Sequence, residues 1–74
     1  MEKQKPSIGR IVIHRGIESN FTKDHPAIIN RVWSDTCVNL TVFPDCGAPQ
    51  SQTSQVEIDP TDAEGRGWFW PPRV

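Results

Sequence analysis

The sequence has only two cysteines, and it lacks any long hydrophobic run. Cys37 and Cys46 cannot form the disulfide framework of a small secreted domain, so we expect both to be free thiols. There is no Cys-x-x-Cys pair, and His14 and His25 add no closely spaced ligand pair. The sequence therefore predicts neither a metal site nor a cofactor.

A membrane partner is not expected from this sequence either. No stretch approaches the roughly 20 apolar residues that a membrane-spanning helix needs. Residues 1–6 are charged, and no apolar run follows them as it would in a signal peptide. We expect the protein to act in a cytoplasm.

The charges are nearly balanced, with eight basic and nine acidic residues and a formal net charge of −1. A chain without a net basic surface has no general attraction to long nucleic acid, although a local patch could still bind a single anion. No motif places a nucleophile beside a general base. Asp59, Asp62 and Glu64 resemble a solvated loop rather than a catalytic cluster. These observations favour a binding module and not an enzyme.

Composition and periodicity predict an all-β fold. A chain of 74 residues makes one domain, and seven prolines with five glycines favour strands joined by turns. The pattern is clearest in residues 37–43, where Val38, Leu40 and Val42 alternate inward. The expected strands are residues 8–14, 26–33, 37–43, 56–58 and 67–70, which form a small five-stranded SH3-like barrel.

The remaining segments are assigned as a tail and loops. Residues 1–6 are expected to be a disordered tail, and residues 7–74 a single β-barrel domain. Residues 16–25 and 44–55 are assigned as long polar loops, and the first is of the kind that often carries function. Residues 59–65 are a third loop, with room for one helical turn.

Three segments together resemble a known group of proteins. They are Ile8-Gly9-Arg10-Ile11-Val12, residues 27–45, and Gly67-Trp68-Phe69-Trp70-Pro71, and they resemble small SH3-like barrel proteins encoded by tailed bacteriophages. The resemblance implies a barrel fold, a viral source and action in the host cytoplasm, and it implies no catalytic residues. Small phage barrels include virion or assembly parts and proteins that counter host immunity, some by sequestering cyclic nucleotide signals.

Tryptophans and arginines are the most distinctive candidates for a site. An aromatic ring stacks on a nucleobase, and a guanidinium group pairs with a phosphate. A small barrel also needs tryptophan to fill its core, so we expect one tryptophan of strand 67–70 to be structural and the other to lie at the barrel mouth. Trp70 is predicted to be the one at the mouth. The candidate ligand-binding residues are Trp33, Trp68, Trp70, Arg10, Arg15, Arg31, Arg66 and Arg73.

Two functions remain open at this point. One is sequestration of a phosphate-bearing small molecule, such as a cyclic nucleotide, to counter host immunity. The other is a protein–protein interaction module that inhibits a host protein or belongs to a virion assembly. A concave pocket that holds tryptophan and arginine favours the first function, and a flat, exposed aromatic patch favours the second. Phe43 and Phe69 are predicted to point outward, so a homo-oligomer that buries them is also expected.

Overall fold

The computed structural model describes residues 4–72, which form five strands and no helix. The strands are β1 (Ile11–Ser19), β2 (Thr22–Val32), β3 (Cys37–Val42), β4 (Gln50–Val56) and β5 (Gly67–Phe69). Their order in the sheet is β4-β3-β2-β1-β5, and every neighbouring pair is antiparallel. A bridge between Glu57 and Trp68 joins the end of β4 to β5, so the sheet curls into a half-barrel. The predicted all-β class and small barrel-like shape are confirmed.

The core lies on the concave face of the sheet and follows the predicted alternation. Val38, Leu40 and Val42 of β3 are fully buried, and their neighbours Asn39 and Thr41 are only partly covered. Burial of these side chains supplies most of the driving force for folding. The cluster of buried apolar residues consists of Val12, Ala27, Ile29, Val38, Leu40, Val42 and Trp68.

Residues 16–25 are not a loop, which corrects the prediction. β1 continues to Ser19, β2 begins at Thr22, and these two residues pair with each other. Asn20 and Phe21 form the connection, with φ angles of 53° and 68°. Two successive left-handed residues are the mark of a type I′ hairpin turn. Glycine is the usual second residue of that turn, so the Asn-Phe pair does not carry the sequence signal from which a hairpin would be predicted.

The segment assigned as the loop 44–55 contains β4, and the predicted strand 56–58 is wrong. β4 spans residues 50–56 and pairs with β3, with an irregular register between Val38 and Leu40. The strand reads Gln-Ser-Gln-Thr-Ser-Gln-Val and shows no hydrophobic alternation. β4 lies at the edge of the sheet, where it is held by backbone hydrogen bonds to β3 and does not need an alternating apolar face.

The loop between β4 and β5 contains turns and no helical turn. Asp59 Oδ1 accepts hydrogen bonds from the backbone N–H and the hydroxyl of Thr61, at 2.9 and 2.7 Å. Such an Asx-type contact holds a turn without a helix. None of the residues in the described part of the chain forms a helix that could cross a membrane.

Several smaller predictions can be compared with the structure. Cys37 and Cys46 are free thiols, as expected. Phe43 is exposed, whereas Phe69 is only 7% exposed, so the prediction that both form an exposed patch is wrong. The guanidinium group of Arg15 covers the Phe69 ring at 4.8 Å. Residues 1–3 of the predicted tail lie outside the described residues, and Pro6 at its end is buried.

Candidate functional site

Trp68 is a core residue that closes the barrel. Its side chain is fully buried. Its indole Nε1–H donates to the carbonyl oxygens of Thr36 and Gln55, at 3.1 and 3.2 Å. These bonds connect β5 with the β2–β3 turn and the end of β4, and they satisfy the buried donor. Trp68 is therefore a structural core residue.

Trp70 lies on the same face of the chain as Trp68 but closer to the barrel end. The two rings form an edge-to-face pair, with centroids 5.5 Å apart and planes at 86°. Trp70 is half-buried, and the Arg10 guanidinium lies 5.2 Å from its ring centroid. Its buried Nε1–H has no hydrogen-bond partner among residues 4–72. Trp70 and Arg10 therefore form one Arg–Trp pair at the barrel end.

Arg31 and Trp33 form a second Arg–Trp pair, here on the outer surface. The Arg31 guanidinium lies 4.1 Å from the Trp33 ring centroid, and Trp33 is 55% exposed. The indole Nε1–H donates to Asn39 Oδ1 at 2.9 Å, and the same oxygen accepts the backbone N–H of Ser54 at 2.8 Å. A register shift in β2 between Ile29 and Arg31 accompanies this arrangement. The exposed ring is thus held in place by β3 and by the arginine.

Arg15 is bound within the protein rather than available to a ligand. Its Nε and Nη2 groups donate to the two carboxylate oxygens of Asp24, at 2.7 and 2.9 Å. Its Nη1 group donates to the carbonyl oxygens of Pro60 and Asp62. The bond from Arg15 holds the pKa of the Asp24 carboxyl below its ordinary value. Arg15 therefore links β1, β2 and the β4–β5 loop.

Arg66, a further predicted arginine, does not join either pair. The Arg66 side chain packs against Gly16, and its Nη1 group lies 3.4 Å from the Gly16 carbonyl oxygen. Arg73 lies outside the described residues.

The eight predicted residues therefore do not form one cluster. The antiparallel strand directions bring Arg10, Trp70, Arg31 and Trp33 to the barrel end where β1 begins and β2 ends. There the two Arg–Trp pairs differ in their surroundings. One is half-buried at the barrel end, and the other lies on the outer surface.

A pocket also lies between the β2–β3 turn and the β4–β5 loop, but it contains none of the predicted site residues. Its volume is about 330 Å³, and Thr36, Glu57, Ile58, Asp59 and Pro60 line it. The backbone N–H and the hydroxyl of Thr61 both donate hydrogen bonds to Asp59. These bonds hold the Asp59 pKa below its ordinary value, and the backbone bond has the larger effect. Two carboxylates in the lining make this pocket a poor site for a phosphate.

Two buried histidines form a polar pair that the sequence did not predict. His14 and His25 are paired across β1 and β2, and both are almost wholly buried. His25 Nε2–H donates to the Ile17 carbonyl at 2.7 Å, and its Nδ1 accepts the Asp45 N–H at 3.2 Å. His25 thereby ties the β1–β2 hairpin to the β3–β4 loop. The signal present in the sequence is alternation, because His14 follows Val12 by two residues and so lies on the same buried face of β1.

His14 is held less completely than His25. Its Nε2–H donates to Gln55 Oε1 at 2.9 Å, because the Gln55 amide nitrogen donates to the Thr53 carbonyl. Its Nδ1 atom is buried and has no partner within the described part of the chain. Burial is the main cause that lowers the pKa of His14 below 6.5, and the positive charge of Arg66 acts in the same direction.

Comparisons with protein-family models, curated proteins and solved structures give no match to this chain. The resemblance to phage-encoded barrels therefore stays a prediction.

Proposed function

We propose that this chain is a non-catalytic binding module that docks on a protein partner through its Trp33 surface. We define the Trp33 surface as Arg31 on β2, Trp33 just beyond the end of β2, and Asn39 on β3. The observation that carries the proposal is that Trp33 is more than half exposed although its ring is fixed on both sides. An exposed tryptophan adds little to the core, so its ordered position suits recognition.

The physical chemistry of the Trp33 surface supports a protein partner. Tryptophan and arginine are the side chains that most often dominate binding energy at protein interfaces. The hydrogen bond from Trp33 to Asn39 and the contact with Arg31 order the ring before binding. Less side-chain freedom is then lost on association.

We also propose an SH3-like topology and a phage origin. A meander of β1 to β4 followed by a short β5 beside β1 is compatible with an SH3-like barrel. The resemblance in the sequence suggests a viral protein that acts in the host cytoplasm. The partner would then be a host protein that it inhibits or a component of the virion assembly.

The proposal can be tested by comparing variants at the Trp33 surface with a charge-matched control elsewhere. Immobilised wild-type protein, Trp33→Ala and Arg31→Ala would be exposed to a bacterial lysate, with Lys23→Ala as the control. A protein that wild type and control retain would be identified by mass spectrometry, purified, and titrated by calorimetry. We expect Trp33→Ala to weaken affinity at least tenfold with little change in melting temperature. Equal affinity for wild type and Trp33→Ala would rule out this surface.

A second function is favoured by the pair of Arg10 and Trp70. Here a guanidinium lies over a half-buried ring whose Nε1–H lacks a partner among the described residues. A ring stacked on a base and a guanidinium bound to a phosphate would suit a small nucleotide-like ligand, such as a cyclic nucleotide alarm signal. Sequestration of that signal would counter host immunity.

Calorimetry against a panel of cyclic di- and trinucleotides tests this second function directly. We expect binding by at least one member, and we expect Arg10→Ala to abolish it while Lys23→Ala leaves it unchanged. The absence of heat with every member at micromolar protein concentration would remove this function and leave the first one in place.

A further inference from the structure

The outer side of the sheet carries an apolar patch that the core does not use. Val12, Ala27 and Val42 are partners across three strands and are fully buried on the concave side. Side chains alternate between the two sides of a strand, so the residues that flank these three point outward. Five of the six flanking residues are apolar, and the sixth is Thr41. We define the outer apolar face as Ile11, Ile13, Pro26, Ile28 and Phe43.

The strand register makes this face contiguous. Ile11 is opposite Ile28, and Ile13 is opposite Pro26. The Phe43 N–H donates to the Pro26 carbonyl at 2.9 Å, so Phe43 continues the second row beyond the end of β3. Opposite side chains on one side of an antiparallel pair have Cβ atoms ~4.5–5.5 Å apart and so form a common surface. Ile11 is 59% and Phe43 39% exposed, and a contiguous exposed apolar patch marks an interaction site.

The chain covers one end of this surface by itself. Phe69 of β5 ends the second row and is only 7% exposed. The Arg15 guanidinium lies over its ring, and Arg15 Nη1 also donates to the Pro60 carbonyl, so the β4–β5 loop reaches this side of the sheet. Ile11 and Phe43, farther from β5 or nearer the start of β1, stay exposed in the part of the chain that the structure describes.

The charges around the outer apolar face suit a second copy of the same chain. A two-fold contact brings like residues of both copies together, so an unpaired charge near the axis would meet its own copy. The five side chains of the face are uncharged. On one side the face adjoins Arg15 and Asp24, which neutralise each other through two hydrogen bonds of 2.7 and 2.9 Å. On the other side it adjoins Asn30, whose amide donates to the Thr41 hydroxyl at 2.6 Å. Homodimer interfaces are also more apolar than those of transient partners.

The size of the face indicates a weak dimer. Strands lie ~4.8 Å apart and residues two positions apart ~6.7 Å, so four strands and three rows give a footprint of at most about 400 Å² on each copy. A standard interface buries about 800 Å² on each partner. Because the sheet curls, this face is convex, and two copies would meet mainly along the central strands β1 and β2. The contact is therefore no more than about half of standard size.

We infer that two copies of the chain associate back to back through the outer apolar face, with β1 and β2 of one copy packed on β1 and β2 of the other about a two-fold axis. Such a contact is closed and stops at two copies. Of the two phenylalanines expected to be buried by oligomerisation, Phe43 lies in the contact, and Phe69 is covered within its own chain. The inference uses neither the Trp33 surface nor the pair of Arg10 and Trp70, so it stands apart from the proposed function.

Sedimentation of the purified full chain tests the inference. We expect the average mass to rise from that of one 8.4 kDa chain toward twice that value between about 10 µM and 1 mM, the range of a weak dissociation constant. Ile11→Lys buries an unpaired charge in the contact, and we expect it to weaken association at least about tenfold. Ile11→Thr keeps a β-branched side chain and should weaken association in the same direction if the lysine variant fails to fold. Val56→Lys is the matched control, because Val56 is 51% exposed on β4, outside the face, and it should dimerise like wild type.

Amide chemical shifts measured by NMR at increasing protein concentration would locate the contact. We expect changes at Ile11, Ile28 and Phe43 and none along β4. Trp33→Ala should dimerise like wild type, and its loss of self-association would move the contact to the Trp33 surface and overturn the inference. A wild type that stays monomeric throughout the range, an Ile11→Lys variant that dimerises as well as Val56→Lys, or shift changes confined to the β4 edge would each overturn it as well.

Discussion

At the scale of single residues, the two tryptophans of the C-terminal segment show how position decides role. Both lie on the concave face, and their rings are in contact. Trp68 is fully buried with two hydrogen bonds, whereas Trp70 is half-buried beside Arg10 at the barrel end. The sequence predicted that one is structural and that Trp70 lies nearer the mouth, and this distribution of burial agrees with it.

We expect Trp68→Ala and Trp70→Ala to differ in stability. Truncation of a fully buried tryptophan destabilises a domain by about 3–5 kcal/mol, which is enough to unfold a domain of this size. Trp70→Ala loses the edge-to-face pair, about 0.5–1.5 kcal/mol, together with part of its buried area. Chemical denaturation monitored by circular dichroism would measure both. A Trp70→Ala variant that is as unstable as Trp68→Ala would show that the pair acts as one core unit.

His14 leads to a prediction about pH. Its folded-state pKa lies below the 6.5 of an exposed histidine, mainly because burial disfavours the charged ring. On acidification the unfolded chain therefore binds a proton before the folded chain does, and the free energy of unfolding falls as the pH drops through 6.5. The free energy of unfolding should continue to fall until the pH reaches the lower pKa of His14 in the folded state.

Melting curves between pH 8 and pH 5, taken across the ~6.5 pKa of an exposed histidine, would test this prediction. The matched variant is His14→Gln, which keeps a polar side chain but cannot titrate. We expect a flatter dependence for His14→Gln than for wild type across this window. Identical slopes would mean that the protonation of His14 does not control acid stability.

At the scale of elements, Arg15 connects parts of the chain that are distant in sequence. Its guanidinium group contacts Asp24 on β2 and the carbonyls of Pro60 and Asp62 in the β4–β5 loop, and it covers Phe69 on β5. The sequence predicted that Arg15 contacts a ligand. In the structure its donors are used to attach the loop and both neighbouring strands to β1.

We expect Arg15→Ala to destabilise the protein more than Asp24→Asn does. Asp24→Asn loses one partly exposed ion pair, worth roughly 0.2–1 kcal/mol. Arg15→Ala loses that pair, both carbonyl contacts and the cover of Phe69. Thermal melts of the two variants at equal ionic strength would give the order. If the two melting temperatures are equal, the loop contacts contribute nothing measurable.

At the scale of the whole molecule, barrel closure depends on a close approach between β4 and β5. Gly67 lies where an added Cβ atom would collide with the backbone carbonyl oxygen of Val56 and would press on Ile58. The Ile58 N–H donates to the Trp68 carbonyl at 2.8 Å, so the same contact also carries a closing hydrogen bond. A side chain at residue 67 would force these segments apart.

We expect Gly67→Ala to open this junction. Overpacking against backbone destabilises by at least about 1–3 kcal/mol, and here it also disturbs the burial of Trp68. Gly47→Ala is the matched control, because its φ angle is also positive and nothing lies within 4 Å of the added Cβ. Tryptophan fluorescence during denaturation would report the change. A Gly67→Ala variant as stable as Gly47→Ala would show that the junction adapts to the extra methyl group.

The sequence by itself determined the all-β class, the hairpin of β2 and β3, and the inward positions of Val38, Leu40 and Val42. These features depend on side-chain periodicity within one strand, which is visible locally. The general kind of candidate site was also visible, since arginine and tryptophan stand out in a small chain. The sequence predicted them as one set, without their arrangement in space.

Only the tertiary structure decided which arginines are available and where β4 lies. β4 has no hydrophobic period, so its pairing with β3 depends on backbone hydrogen bonds between distant residues. The folded structure also shows that Arg15 is bound to Asp24, that the pair of Arg31 and Trp33 is separate from that of Arg10 and Trp70, and that Phe21 is exposed at a turn without glycine. Strand register, bulges and left-handed turns are set by the partners that the folded chain brings together, and local propensity does not encode them.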